Sequence, residues 1–272
     1  MQPTALTLDI PEPADSSTHS HSWRIYLLEA RYEFVKLLRT PYFAVPTIAF
    51  PVMFFVLFGL SFSSRTAAGQ VGPREYLVAS YSVFGVVTAA LFAFGAGLSV
   101  ERAQGWLSLK RATPMPPTAY FAAKVVSAMV FGAVILACLA VVAIAAGGVR
   151  LPPGAWVRLL GVVVIGCVPF CLAGLVIAFT VPPAGATGVV NLINLPLAFA
   201  GGLWVPVDRL PPFVRLLAPA LPQYHLGQLA LGAIGGAWMP RTGQHVLVLL
   251  AWSVALVAAA RWAYRRSDRR SA

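Results

Sequence analysis

The sequence predicts an all-α membrane protein: six transmembrane helices, an N-terminal amphipathic helix at the interface, and a re-entrant outer helical hairpin between spans five and six. Three observations carry this. Of 272 residues, 58% are hydrophobic and only 11% are charged, whereas soluble domains carry about 25% charged residues. Six apolar stretches each come close to or exceed the ~20 residues that cross a hydrocarbon core. The charges collect in the flanks of those stretches, where they avoid desolvation.

Residues 1–22 are rich in Pro, Ser and Thr and contain Asp9, Glu12 and Asp15. They read as a disordered cytoplasmic tail without the apolar core of a cleavable signal peptide, and with His19 and His21 in solvent. Over residues 23–40, Trp23, Tyr26, Leu27, Ala30, Phe34, Leu37 and Leu38 recur at helical spacing among charged residues. That pattern predicts a helix lying in the membrane interface, ended by Thr40-Pro41. The spans follow at residues 44–62, 76–99, 119–146, 156–181, 184–205 and 245–264. Pro46, Pro51, Pro169 and Pro196 predict kinks that neighbouring helices accommodate. Residues 23–264 thus form a single transmembrane domain, and residues 265–272 a basic cytoplasmic tail.

With the N-terminus inside, the N-terminal helix, the segment between spans two and three together with Lys124 in the first turns of span three, and the C-terminal end hold thirteen of the 20 Lys and Arg residues. This predicts both termini in the cytoplasm. The net charge of +11 is therefore a topology signal, not a nucleic-acid footprint. Cys138, Cys167 and Cys171 all fall inside apolar spans and read as inert buried thiols.

Residues 100–118 form a charged island between two apolar spans. Glu101, Arg102, Lys110 and Arg111 each cost about 2.5–3.5 kcal/mol at a bilayer centre, so the island sits in water beside the membrane. Trp106, Leu107 and Leu109 give it apolar contacts, and Pro114, Pro116 and Pro117 stop its helix. A short surface helix read by something outside the membrane fits this pattern. Between spans five and six, residues 206–244 are cut by six prolines. Two apolar pieces, 213–218 and 224–234, are too short to cross, and they predict helices that dip into the outer leaflet and return.

Catalytic and nucleotide motifs such as G-x-S-x-G, H-E-x-x-H and G-x-x-x-x-G-K-[ST] do not occur. No carboxylate lies deep in a span, so the ion site usual in an ion-coupled carrier is not evident. Asn191 and Asn194 sit three apart on one helical face, so both can point at the same neighbour or cavity, either as helix-to-helix hydrogen bonds or as pathway lining.

The stretch Glu101-Arg102-Ala103-Gln104-Gly105-Trp106-Leu107, with Ala112-Thr113-Pro114 and Lys124 behind it, resembles a motif of ABC-2-type transporter permeases. So do Phe199-Ala200-Gly201-Gly202-Leu203-Trp204-Val205-Pro206 and Leu221-Pro222-Gln223-Tyr224-His225-Leu226. The second acid of the family's charged pair is Ala103 here, and Trp106 replaces a small polar residue. The resemblance implies an exporter permease for drugs, lipids or glycans in the bacterial inner membrane, without a cofactor or metal of its own. A separate ABC ATPase would hold ATP and Mg, and a second permease copy, in a homo- or heterodimer, would complete the pathway. It implies that Glu101, Arg102, Gly105, Trp106, Leu107, Thr113 and Pro114 couple to the ATPase. Phe92, Phe94, Asn191 and Asn194 are candidates for pathway lining; Trp204, Pro206, Pro222 and Tyr224 are candidates for an outer gate. Beyond protein partners the chain meets membrane lipid and no nucleic acid. The rival readings are an ion-coupled secondary transporter and a membrane scaffold or sensor subunit that moves nothing.

Overall fold

Proline starts the helices. The computed structural model describes residues 18–61, 71–112, 116–235 and 241–271. Among them are α1 (Thr18–Leu38), α2 (Pro41–Phe54), α3 (Pro73–Leu91), α4 (Leu98–Ala103), α5 (Trp106–Arg111) and α6 (Pro117–Ala145). They continue with α7 (Pro153–Gly166), α8 (Val168–Thr180), α9 (Pro183–Ala200), α10 (Pro212–Leu217), α11 (Pro222–Ile234) and α12 (Thr242–Ser271). No strand occurs among the described residues. Seven of these helices open on proline, whose fixed φ suits the first turn and whose missing N–H is not needed there.

Among the described residues, six helical stretches are long and apolar enough to span a membrane: Pro41–Gly59, Pro73–Ala103, Thr118–Ala145, Pro153–Thr180, Pro183–Ala200 and Thr242–Ser267. All six expected spans are present. The fifth ends five residues early, where Gly201 caps α9 and the chain turns at Gly202. Helix α1 begins at Thr18, inside the segment expected to be tail, and residues 1–17 lie outside the described set. The expected basic tail continues the sixth span, since α12 remains helical to Ser271. The expected outer pieces are α10 and α11, joined by a 3-10 turn at Ala218–Ala220.

Span two is the hub. Its most apolar window is 72% buried, against 17% for span six and 22% for span five. It packs against α2, α6, α8 and α11. Two π-helical segments interrupt the bundle: Phe55–Gly59 continues α2, and Phe92–Gly97 joins α3 to α4. The first follows Pro51. The second contains no proline, and the sequence offered only Gly95 and Gly97 as a hint. In span four the kink lies at Cys167, just before Pro169, and separates α7 from α8.

At the opposite end from α4, Arg74 gathers helix carbonyls. It donates to Gly59 O (3.2 Å), to Leu60 O (3.4 Å) and to Gly147 O, at the ends of spans one and three. Arg158 donates to Ala233 O at the end of α11 (3.0 Å). A cation at a helix C-terminus meets the negative end of the dipole and fills orphan acceptors.

Spans two and four touch backbone to backbone at Gly174. A Cβ there would lie 2.6 Å from Phe94 Cβ and 3.0 Å from Gly95 N. Gly174→Ala is therefore expected to lower stability by about 1–3 kcal/mol. Gly188→Ala, where an added Cβ meets nothing within 4 Å, should be near neutral. Thermal unfolding of both variants in detergent checks the pair.

Candidate coupling site

A lysine with no exposed surface dictates the arrangement at the α4 end of the bundle. Lys124, seven residues into the span Thr118–Ala145, is 0% exposed. It donates to Glu33 Oε1 (2.6 Å) on α1 and to Glu101 Oε1 (2.9 Å) on α4. Lys36 of α1 closes the figure by bridging Glu101 (2.6 Å) and Glu33. The four groups form a ring of alternating charge that joins three helices. Tyr120 adds an O–H to Glu101.

The charges balance. Outside the ring, Lys110 of α5 pairs with Glu29 of α1 and lies over the Tyr120 ring at 4.4 Å. Three acids, Glu29, Glu33 and Glu101, thus face three lysines, Lys36, Lys110 and Lys124. Burial pulls the Lys36 ammonium down, but the fields and hydrogen bonds of Glu33 and Glu101 outweigh it and leave its pKa raised. That contribution is complete at neutral pH and fades only as pH rises through the raised value, above 10.5.

The neighbouring Arg102 faces the other way. It donates to Ser267 Oγ of α12 (2.8 Å) and Phe179 O of α8 (3.4 Å), and lies over the Phe179 ring at 5.8 Å. Ser99 donates to Val181 O (3.1 Å). One turn of α4 thereby ties α1 and α6 on one side to α8 and α12 on the other.

Past this anchor the chain turns sharply. Gly105 has φ +78°, open to glycine at little cost, and nothing lies within 4 Å of an added Cβ. The turn sets α5 off from α4. Trp106 and Leu109 are 50% and 61% exposed, while Leu107 is half-buried against the core. Trp106 Nε1 donates to Gln104 Oε1 (3.1 Å).

The expected coupling residues thus divide. Glu101 and Arg102 turn inward as anchors, because unpaired they would be desolvated charges. Gly105, Trp106 and the neighbouring Leu109 form the outward face. Thr113 and Pro114 lie outside the described residues. Glu33, Lys36 and Tyr120 were not picked out from the sequence. The available signal was Lys124, a cation inside an apolar span that requires an anion.

The pathway candidates do not line one surface. Phe94 is buried where α8 crosses, and Phe92 is half-buried. Asn194 is buried and donates to Thr88 Oγ1 of span two (2.9 Å), while Asn191 is exposed. Of the two asparagines, Asn194 meets span two. The outer candidates fall into two groups. Trp204 joins an aromatic cluster with Phe54 (5.4 Å) and Phe84 (5.7 Å), and Pro206 is half-buried beyond it. Pro222 is buried at the start of α11, and Tyr224 packs edge-on against His225 and His245.

The profile of the family described as ABC-2 type transporter matches residues 26–234 of this chain. The chain is also similar to "Putative transport permease YvfS" of Bacillus subtilis (strain 168), with 24% identity over 236 residues, covering 87% of this chain and 95% of that protein. The matched region takes in α4, α5 and every member of the ion ring.

Lys124→Met leaves buried Glu33 and Glu101 with Lys36 alone between them. It is expected to cost about 3–5 kcal/mol. Adding Glu33→Gln should recover a large part of that loss, because Glu101 and Lys36 then balance. Unfolding midpoints of the single and double variants check both expectations.

Proposed function

The chain belongs to the ABC-2 type transporter family, and from that premise we propose that it is the permease subunit of an ATP-driven exporter. It works in the bacterial cytoplasmic membrane with both termini inside, and it moves a drug-like, lipid or glycan substrate outward. A separate ABC ATPase holds ATP and Mg, and a second permease copy completes the pathway. The α4–α5 corner is the observation that carries this reading. It presents an exposed apolar face, Trp106 and Leu109, on a helix that is ionically fastened to the bundle behind it.

The mechanism follows from that fastening. A push on α5 reaches α1 through Lys110–Glu29. It reaches α6 through the Glu101–Lys124 pair, and α8 and α12 through Arg102. Charge-assisted contacts at 2.6–2.9 Å deform less than a loop would, so displacement passes into the spans. The basic residues of α1, the α5 corner and α12 lie at the end assigned to the cytoplasm, in keeping with the orientation.

At the other end, two contacts support a hairpin that reaches half-way into the membrane. Leu226 lies against Gly166, where an added Cβ would come within 2.1 Å of its Cδ1. Gly166 is thirteen residues along span four, about 20 Å from its start. Trp252 Nε1, ten residues or about 15 Å into α12, donates to Ala220 O in the turn that joins α10 to α11 (3.1 Å). The first depth exceeds half of a ~30 Å hydrocarbon core and the second equals it. In this reading α10 descends and α11 returns to form the outer gate, with Trp204 and Pro206 at its margin.

Trp106→Glu combined with Leu109→Glu places charge on the proposed docking face without touching the ion ring. Loss of an aromatic anchor of this kind costs about 2 kcal/mol, roughly thirtyfold in affinity. Titration of the purified permease with its ATPase subunit should show that loss, with export falling in parallel and membrane content unchanged. Wild-type affinity and export in this variant would remove the coupling assignment.

A further inference from the structure

The hairpin meets span six through two histidines that the exporter reading does not use. His225, on the first turn of α11, is 2% exposed. Its Nε2 lies 2.8 Å from Pro219 O. A carbonyl only accepts, so this nitrogen carries the hydrogen, and the neutral ring presents Nδ1 as a bare lone pair. Nδ1 of His245, on the first turn of α12, lies 2.8 Å away and donates to it. Tyr224 packs against both rings, at 5.2 and 6.0 Å between centroids.

A backbone carbonyl that fixes the far N–H of an imidazole and leaves the near nitrogen as an acceptor, here occupied by the His245 N–H, is the usual support behind a metal-ligating histidine. We propose that His225 and His245 form a two-histidine site for a borderline-soft divalent cation of the zinc class, bridging α11 and α12. Tetrahedral zinc with Zn–N bonds of 2.0–2.1 Å sets two ligand nitrogens about 3.3 Å apart. The pair must therefore open by about half an ångström. His245, partly exposed at the start of α12, can supply that movement. On binding, the hydrogen on Nδ1 of His245 shifts to Nε2, so both rings ligate as neutral Nδ1 donors and no net proton is released. Solvent fills the remaining positions, because the described residues contain no cluster of three or more His, Cys, Asp or Glu. Imidazole pairs suit zinc, copper and nickel, whereas calcium and magnesium demand oxygen.

Arg241, whose carbonyl accepts from His245 N (3.2 Å), adds a positive charge to the same turn. This places the site in the micromolar range, not the tighter range of a four-ligand structural centre. The metal acts as a staple between the hairpin and span six. On the exporter reading the staple holds the outer gate closed, but the binding itself does not depend on that reading.

The chain has four histidines, so replacing His19 and His21 by Ala leaves only this pair. Titration of that full-length background with Zn2+ by calorimetry is expected to give about one ion per chain with micromolar affinity. His245→Gln keeps a donor toward His225 but removes a ligand, and should weaken binding at least about tenfold. With Cu2+ as probe, electron paramagnetic resonance should show two coupled nitrogens in the background protein and one in His245→Gln. Absence of Zn2+ binding up to about 1 mM, or equal affinity and an unchanged nitrogen pattern in His245→Gln, overturns the site.

Discussion

Everything at the α5 end of this bundle depends on a charge that has no water. Lys124 has no exposed surface, and an unpaired ammonium in such a place costs several kcal/mol. It remains tolerable only because Glu33 and Glu101 come to it from two other helices. Those acids in turn need Lys36. The result is a set of positions that must be occupied together. The N-terminal helix is held where it is by this requirement, in addition to the contact of Phe34 with Phe131 at 5.3 Å.

A second constraint is geometric. The spans are articulated by proline and π-helical segments, not built as straight rods. Phe92–Gly97 lets span two pass the tight crossing at Gly174 and still deliver Glu101 and Arg102 to opposite sides of one turn. A regular α-helix through this stretch would shift every later side chain around the axis by one residue, about 100°. Glu101 would then lose Lys124. The irregularity in the span and the ion ring beneath it are therefore linked, although no residue is common to both.

Much of this was legible in the sequence, and the division is instructive. All six spans, the two short helices between spans five and six and the kink near Pro169 follow from apolar length and proline, which act locally. The island after span two was also visible, because charge beside hydrocarbon is conspicuous. What stayed hidden was direction. Glu101 and Arg102 are adjacent and looked like a joint surface, yet one turns to α6 and the other to α8 and α12. Asn191 and Asn194 have the spacing of a shared face, but the packing of α9 against span two buries only Asn194. The pairing of His225 with His245 joins residues twenty positions apart through a hairpin, and no periodicity reports such a closure.

Arg74 has a consequence for how the protein is made. On the proposed topology its guanidinium crosses the membrane during insertion, and it finds acceptors at the ends of spans one and three. Span one emerges from the ribosome before Arg74, but span three does not. On that topology the charge lacks its bond to Gly147 O until the third span is in place. The first three spans are in this sense a single unit of assembly, whose completion is registered by one side chain.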